Sequence, residues 1–341
     1  MNKWIGLAAS LLGILCLAAG LASQRDYFEL KYPADWPEPQ YDFTQNPLSR
    51  EGVALGRMLF YDPVLSRDSM ISCSSCHLSY TAFTHVDHPL SHGIEDRIGT
   101  RNSPSLMNLA WGKSFMWDGA ANHLDMQAMA PIAHETEMDS DIATVVERLQ
   151  TKPNYRQAFY AAFDDSTITG EHLLKALAQF QLTFVSANSK YDQVKRQAPG
   201  IAFSEQEQKG YMLYKSNCAT CHQEPLFTNG DFANNGLPMD SLLKDHGRMN
   251  ISLDPTDDRK FKVPTLRNLK FSHPYMHDGR FEKLSQVLNH YVKGIEQSET
   301  LAGELRAGVS LTDHEKVDLT AFLLTLTDKE FVFNRDYAYP R

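Results

Sequence analysis

Two pentapeptides, "CSSCH" (Cys73–His77) and "CATCH" (Cys218–His222), constrain this 341-residue chain more than any other feature. Cys-x-x-Cys-His is the attachment sequence of c-type haem. The two thiols add to the vinyl groups of the macrocycle, and the adjacent imidazole reaches the iron from the same side. One such motif arises by chance or as half of a zinc site; two, in a chain with one other cysteine, predict two covalently bound c-type haems. Their holders are Cys73, Cys76 and His77, then Cys218, Cys221 and His222. Two macrocycles fill much of any core this chain builds, so long loops are expected around few elements.

The fifth cysteine, Cys16, lies in an uncharged run from Trp4 to Ala22 that follows Lys3. Small residues close the run (Ala18, Ala19, Gly20, Ala22, Ser23), as signal-peptidase cleavage requires. Residues 1–23 are therefore read as a cleaved export signal, or as an N-terminal anchor since the run is long enough to stay in a membrane. Either reading puts the mature chain in the periplasm, where haem is attached to such motifs. The net charge of −9 argues against nucleic-acid binding and favours a basic protein partner, if any.

The chain is also written twice. Both haem motifs follow a Gly-x-x-Leu-Phe/Tyr pattern (Gly56, Leu59, Phe60; Gly210, Leu213, Tyr214) and precede a Phe-Thr pair (Phe83–Thr84; Phe227–Thr228). Downstream, "RNSPSLMNLAWGKSFMWDG" lies over "FKVPTLRNLKFSHPYMHDG" at a constant offset of 160, pairing Pro104 with Pro264, Asn108 with Asn268 and Gly119 with Gly279. Amphipathic stretches such as "DIATVVERLQ", "GEHLLKALAQFQLTFV" and "DHEKVDLTAFLLTL" dominate both halves. Ser204 with Glu207 and Thr312 with Glu315 resemble capping boxes. The fold class is mainly α: two cytochrome c-like domains related by an internal repeat, at 44–195 and 196–335, with one haem each.

Each iron needs an opposite ligand. "SHPYMHDGRFEKLSQVLNHYVKG" (272–294) offers Met276, His277, His290 and Tyr291 to the second. Under the 160 offset these fall on Met116, Trp117, Ala130 and Pro131. Proline has no donor, so a position that faces iron in both halves would leave the first site open and fill the second with tyrosine. The offset alone does not select that position.

These motifs resemble the bacterial dihaem cytochrome c peroxidase and MauG family, through "LGRMLFYDPVLS", "ISCSSCH", "RNSPSL", "WDG", "VPTLRN" and "HDG". The resemblance runs from about Leu48 to Leu326. It implies a peroxidatic N-terminal haem and an electron-transfer C-terminal haem. It implies that Tyr291, 14 residues after the "HDG" histidine His277, is the second haem's far ligand, as in the MauG type; other members carry Met there. It implies catalytic Glu137, with Gln127 and Pro131 as companions; sequence alone does not separate Glu137 from Glu135. Trp117 is expected between the haems as an electron relay. One calcium ion is expected on Asn102 and the carbonyls of Ser272 and Pro274. His92 is the residue of "FTHVDHPLSHGIEDRIGTRN" nearest the loop histidine that blocks the first haem in some members, but two extra residues separate it from Arg101.

The expected function is reduction of hydrogen peroxide to water, with electrons from a small cytochrome or cupredoxin. A MauG-like maturase, oxidising side chains of a protein substrate, is the alternative. A non-catalytic dihaem carrier would need neither Pro131 nor Glu137. Association as a homodimer is left open.

Overall fold

A computed structural model describes residues 25–340; the expected signal or anchor at 1–23 lies outside the described residues. Among the described residues no helix is long and apolar enough to cross a membrane. The first half contains α1 (Arg50–Tyr61), α2 (Cys73–Cys76), α3 (Leu124–Gln127), α4 (Met129–Ala133), α5 (Ile142–Gln150), α6 (Pro153–Phe163), α7 (Gly170–Leu182) and α8 (Lys190–Lys195). The second contains α9 (Glu205–Asn217), α10 (Met249–Ser252), α11 (Leu284–Lys293), α12 (Asp313–Leu324) and α13 (Lys329–Val332). Sheet structure among the described residues is one antiparallel pair, β1 (Phe232–Ala233) with β2 (Phe261–Lys262). The amphipathic stretches form α5, α7 and α12. Ser204 and Thr312 cap α9 and α12, each exchanging hydrogen bonds with the glutamate three residues on.

The Gly-x-x-Leu-Phe/Tyr pattern has a packing cause. A Cβ on Gly56 would overlap the Ala176 carbonyl of α7 and press on Phe180; one on Gly210 would overlap the Asp318 carbonyl of α12 and press on Phe322. Only a residue without a side chain allows α1 to cross α7, and α9 to cross α12, at backbone contact. Aromatic rings fill in beside each crossing. Phe60, Phe180 and Phe184 meet edge-on, with Phe83 stacked on Phe184 at 3.9 Å. Tyr214, Phe227 and Phe322 do the same work in the second half. Phe331 and Val332 return to the first half's core, and Tyr337 Oη donates to the Thr183 carbonyl at 2.5 Å.

The 160 register continues in the backbone itself. Asn108 and Asn268 (φ 55° and 60°), Met116 and Met276 (70° and 76°), and Gly119 and Gly279 (74° and 67°) share left-handed conformations. The bridge between Phe115 and Ala121 recurs between Tyr275 and Phe281. Where the halves meet, the register becomes reciprocal. Asn102 N–H donates to the His277 carbonyl and Lys262 N–H to the Trp117 carbonyl, both at 2.7 Å. Asn102 is the register partner of Lys262, and Trp117 that of His277, so the two bonds are one contact made twice across a local two-fold relation.

Candidate functional site

Each Cys-x-x-Cys-His motif presents its groups as a haem requires. The four thiols are free and half-buried, and the one-turn helix α2 places Cys73 and Cys76 side by side. His77 Nδ1 lies 2.7 Å from the Phe83 carbonyl; His222 Nδ1 lies 3.0 Å from the Pro264 carbonyl and 3.3 Å from that of Phe227. A carbonyl only accepts, so Nδ1 carries the proton and the Nε2 lone pair is left for a metal. Burial holds both imidazoles neutral, lowering His77 to about 4 and His222 below its ordinary value. The Phe-Thr pair and the repeated proline of the sequence are thus the orienting carbonyls.

A cavity of about 460 Å³ opens beside the second motif, lined by Cys218, Cys221, His222, Met276 and Tyr291. That is the size range of cofactor pockets, and its thiols, imidazole and phenol are a donor set suited to a c-type haem. Of the four candidate ligands, Met276, His277 and Tyr291 line it. Met276 Sδ accepts from the Asn235 amide at 3.5 Å. His277 stacks on Phe261 at 3.7 Å between centroids. His290 is buried, with Nε2 3.1 Å from the Asn235 carbonyl. Burial pushes the Tyr291 phenol up to about 12, with the Asn235 amide opposing. Tyr291 sits on the continuous helix α11, whereas its register partner Pro131 sits on α4, separated from α3 by a break at Ala128.

Around the first motif, Glu137 and Glu135 now differ. Glu135 is exposed, and its carbonyl accepts from Arg97. Glu137 is half-buried; burial raises its carboxyl above the ordinary range, partly offset by His134, and its charge bears on Cys73 and Cys76. Its peptide is clamped by the loop carrying His92: Ile94 N–H donates to the Glu137 carbonyl at 2.7 Å, and a Cβ on Gly93 would overlap Glu137. Gln127 turns its amide to Met116 Sδ at 3.4 Å. His92 pairs with Asp96 at 2.8 Å, and its carbonyl accepts from Cys76 Sγ at 3.4 Å.

At the junction of the halves, Trp117 Nε1 donates to the Asn102 carbonyl at 2.8 Å. Asn102 turns its own amide to the Pro89 carbonyl at 2.9 Å, and Asn102, Ser272 and Pro274 all line the second cavity. No cluster of three or more His, Cys, Asp or Glu suited to a metal ion occurs among the described residues.

A family model described as "Di-haem cytochrome c peroxidase" matches residues 50–199. The methylamine utilization protein MauG of Methylorubrum extorquens is 37% identical over 318 residues, covering 89% of this chain and 86% of that protein. The chain belongs to the di-haem cytochrome c peroxidase and MauG family. Cytochrome c551 peroxidase of Nitrosomonas europaea is 33% identical over 285 residues, covering 82% of this chain and 81% of that one. A solved MauG-like protein associated with microbial copper homeostasis is 32% identical, with a TM-score of 0.83 over 92% of this chain and 99% of that chain. Family membership and two intact attachment motifs give a di-haem oxidoreductase acting on peroxide, with two c-type haems.

Sequence reading missed three features of the family member's site. His85, His88 and His92 form one stack, with successive centroids 3.9 Å apart, and His85 bears electrostatically on His77. Arg101 spans the halves, bonding Asp118 at 2.6 Å and Asp245 at 2.6 and 2.9 Å. Lys262 lines the second cavity. Only Lys262 had a usable signal, its register match to Asn102.

Proposed function

We propose that this enzyme reduces hydrogen peroxide to two waters at the haem held by His77. The two electrons come through the haem held by His222, from a small cytochrome or cupredoxin. Haem iron, when bound, supplies the electron transfer to peroxide; this chain's residues supply the protons and the access. The observation that carries the reading is the asymmetry of the repeat. Tyr291 lines the second cavity on a continuous helix, while its partner in the first half is Pro131, which has no donor, with half-buried Glu137 near Cys73 and Cys76. An open iron with a carboxyl beside it suits peroxide cleavage.

Glu137 takes a proton from the near peroxide oxygen and returns it to the far one, so that water leaves. A buried carboxyl with a raised proton affinity is suited to both acts. Gln127 and Pro131 shape the approach, and Trp117, bonded to Asn102 at the junction of the halves, carries electrons between the haems. Tyr291 would offer the second iron a hard oxygen donor; coordination to a cation of this charge would deprotonate a phenol that burial keeps neutral.

Tyr291 also favours a second reading, the maturase, in which peroxide-derived oxidising power acts on side chains of a docked protein. A hard anionic ligand stabilises oxidised iron where a thioether would stabilise reduced iron. Periplasmic location, a homodimer and a calcium ion on Asn102, Ser272 and Pro274 belong to this proposal too; if His92 ligates the first iron at rest, reduction must release it before peroxide binds.

Stopped-flow mixing of the ferric protein with peroxide tests it. Rapid spectral change is expected, and a plain electron carrier would give none. Peroxide-dependent oxidation of reduced cytochrome c then separates peroxidase from maturase. EPR of the resting protein would reveal a high-spin first haem, or a low-spin one if His92 is bound.

A further inference from the structure

Lys262 is a half-buried group that the reaction above leaves unused. Its backbone is held on two sides: β2 pairs it with Phe232, and its N–H donates to the Trp117 carbonyl at 2.7 Å. The side chain therefore has a fixed origin at the junction of the halves. Its Nζ donates to the Ser114 carbonyl at 3.0 Å and lies 5.7 Å from the centroid of Phe115. An ammonium has three donors, and the chain occupies one.

The other cations on the wall of the second cavity are spent. Arg267 gives both arms of its guanidinium to Asp192, and Lys113 reaches Asp231 at an exposed rim. His222 and His277 are held neutral by burial. Among the described residues lining this cavity, Lys262 is the cation with no carboxylate partner. Burial alone acts on its amine, pulling it to about 8. A charge taken out of water without a partner is costly, so a lysine aimed into a cofactor cavity calls for an anion that arrives with the cofactor. A c-type haem spends its vinyl groups on the cysteines and keeps two propionate carboxylates.

We propose that Lys262 is the counter-ion of a propionate carboxylate of the haem held by Cys218, Cys221 and His222. The inference rests on the second haem's being present and not on peroxide chemistry or on Tyr291. It makes Lys262 a positioning residue with two effects. Its charge raises the potential of the second haem, because a nearby cation stabilises the form with one more electron. Its peptide N–H links the same anchor to Trp117. The register places neutral Asn102 at the matching position, so this lysine anchor is confined to the second cavity.

The test compares midpoint potentials of both haems in the full di-haem protein for wild type, Lys262→Met, Lys262→Gln and Lys262→Arg. The Met and Gln variants are expected to lower the potential of the second haem, with the first unchanged and Arg restoring most of the shift. Loss of the second haem in Met and Gln but not in Arg would also support a charge-specific anchor. Unchanged potentials in Met and Gln would overturn the proposal, as would equal shifts at both haems. Loss of haem from the Arg variant too would mean that Lys262 serves packing. If Tyr291 were not the iron ligand, Tyr291→Phe would leave the second haem's spectrum unchanged, a result independent of the Lys262 series.

Discussion

A carboxyl two residues from another in the sequence takes its chemistry from what surrounds it. Glu135 and Glu137 are the same side chain in the same loop, and only burial distinguishes them. Glu137→Gln should slow the reaction with peroxide by about 10²–10⁴-fold, the usual worth of a positioned acid–base group. Its elevated proton affinity fixes the pH dependence. The carboxylate form accepts the first proton, so the wild-type rate should fall as the pH drops through a value above the ordinary ~4.3 of glutamate. That acid limb should vanish in Glu137→Gln, measured by stopped flow across pH. Tyr291→Met should raise the second haem's potential, since a soft thioether favours reduced iron; a potentiometric titration resolving the two haems reads it. Tyr291 was singled out by the family resemblance, its place 14 residues after His277; the repeat set it against Pro131 without selecting it. The histidine stack was not, since spacings of three and four residues in a polar loop do not say that rings will stack.

Among the elements, the helices and their caps followed from local rules. The apolar period of α5 and α7 and the reciprocal caps of α9 and α12 need no tertiary contact to be read. What the pattern did not reveal is which helix each glycine faces. Gly56 serves the crossing of α1 on α7, and Gly210 that of α9 on α12. Gly56→Ala or Gly210→Ala should each cost about 1–3 kcal/mol, the usual penalty for overpacking, because the blocking atoms are backbone carbonyls that cannot rotate away. Chemical denaturation of the holo-protein should detect both. The Gly210 variant should loosen the second haem and spare the first, as judged by haem loss on mild heating.

At the scale of the whole molecule, two arginines, one fully buried and one partly, hold parts of the chain that the repeat does not relate. Arg267, fully buried, binds both carboxylate oxygens of Asp192 at 2.7 and 2.8 Å under the ring of Trp36. It thereby joins the N-terminal arm, α8 and the second half. Arg267→Met would leave a buried carboxylate unpaired and should destabilise by about 3–5 kcal/mol. Burial tends to raise Asp192, but its pairing with Arg267 prevails and lowers it below the ordinary aspartate value. A depressed carboxyl contributes stability that is present above the unfolded value near ~3.9 and lost as the pH falls towards the folded one. Urea midpoints should therefore drop below about pH 4 in wild type, and the Arg267→Met protein should lose the share of that acid-side slope contributed by Asp192. Arg101, bridging Asp118 and Asp245 between the halves, is the second such arginine.

The sequence by itself determined the two haem attachments, the internal repeat, the helical class and the family. Each of these is carried by residue identity at short or constant spacing, and covalent attachment or helix periodicity acts over just those distances. Tertiary structure decided the rest. It buried Glu137 more than Glu135 and set the Phe83 and Pro264 carbonyls against the Nδ1 atoms of the two imidazoles. It made one interface contact twice and left Lys262 on a cavity wall with no carboxylate partner. These depend on burial and on groups far apart along the chain, and no spacing in a single sequence encodes which distant carbonyl or carboxylate will stand beside a given side chain.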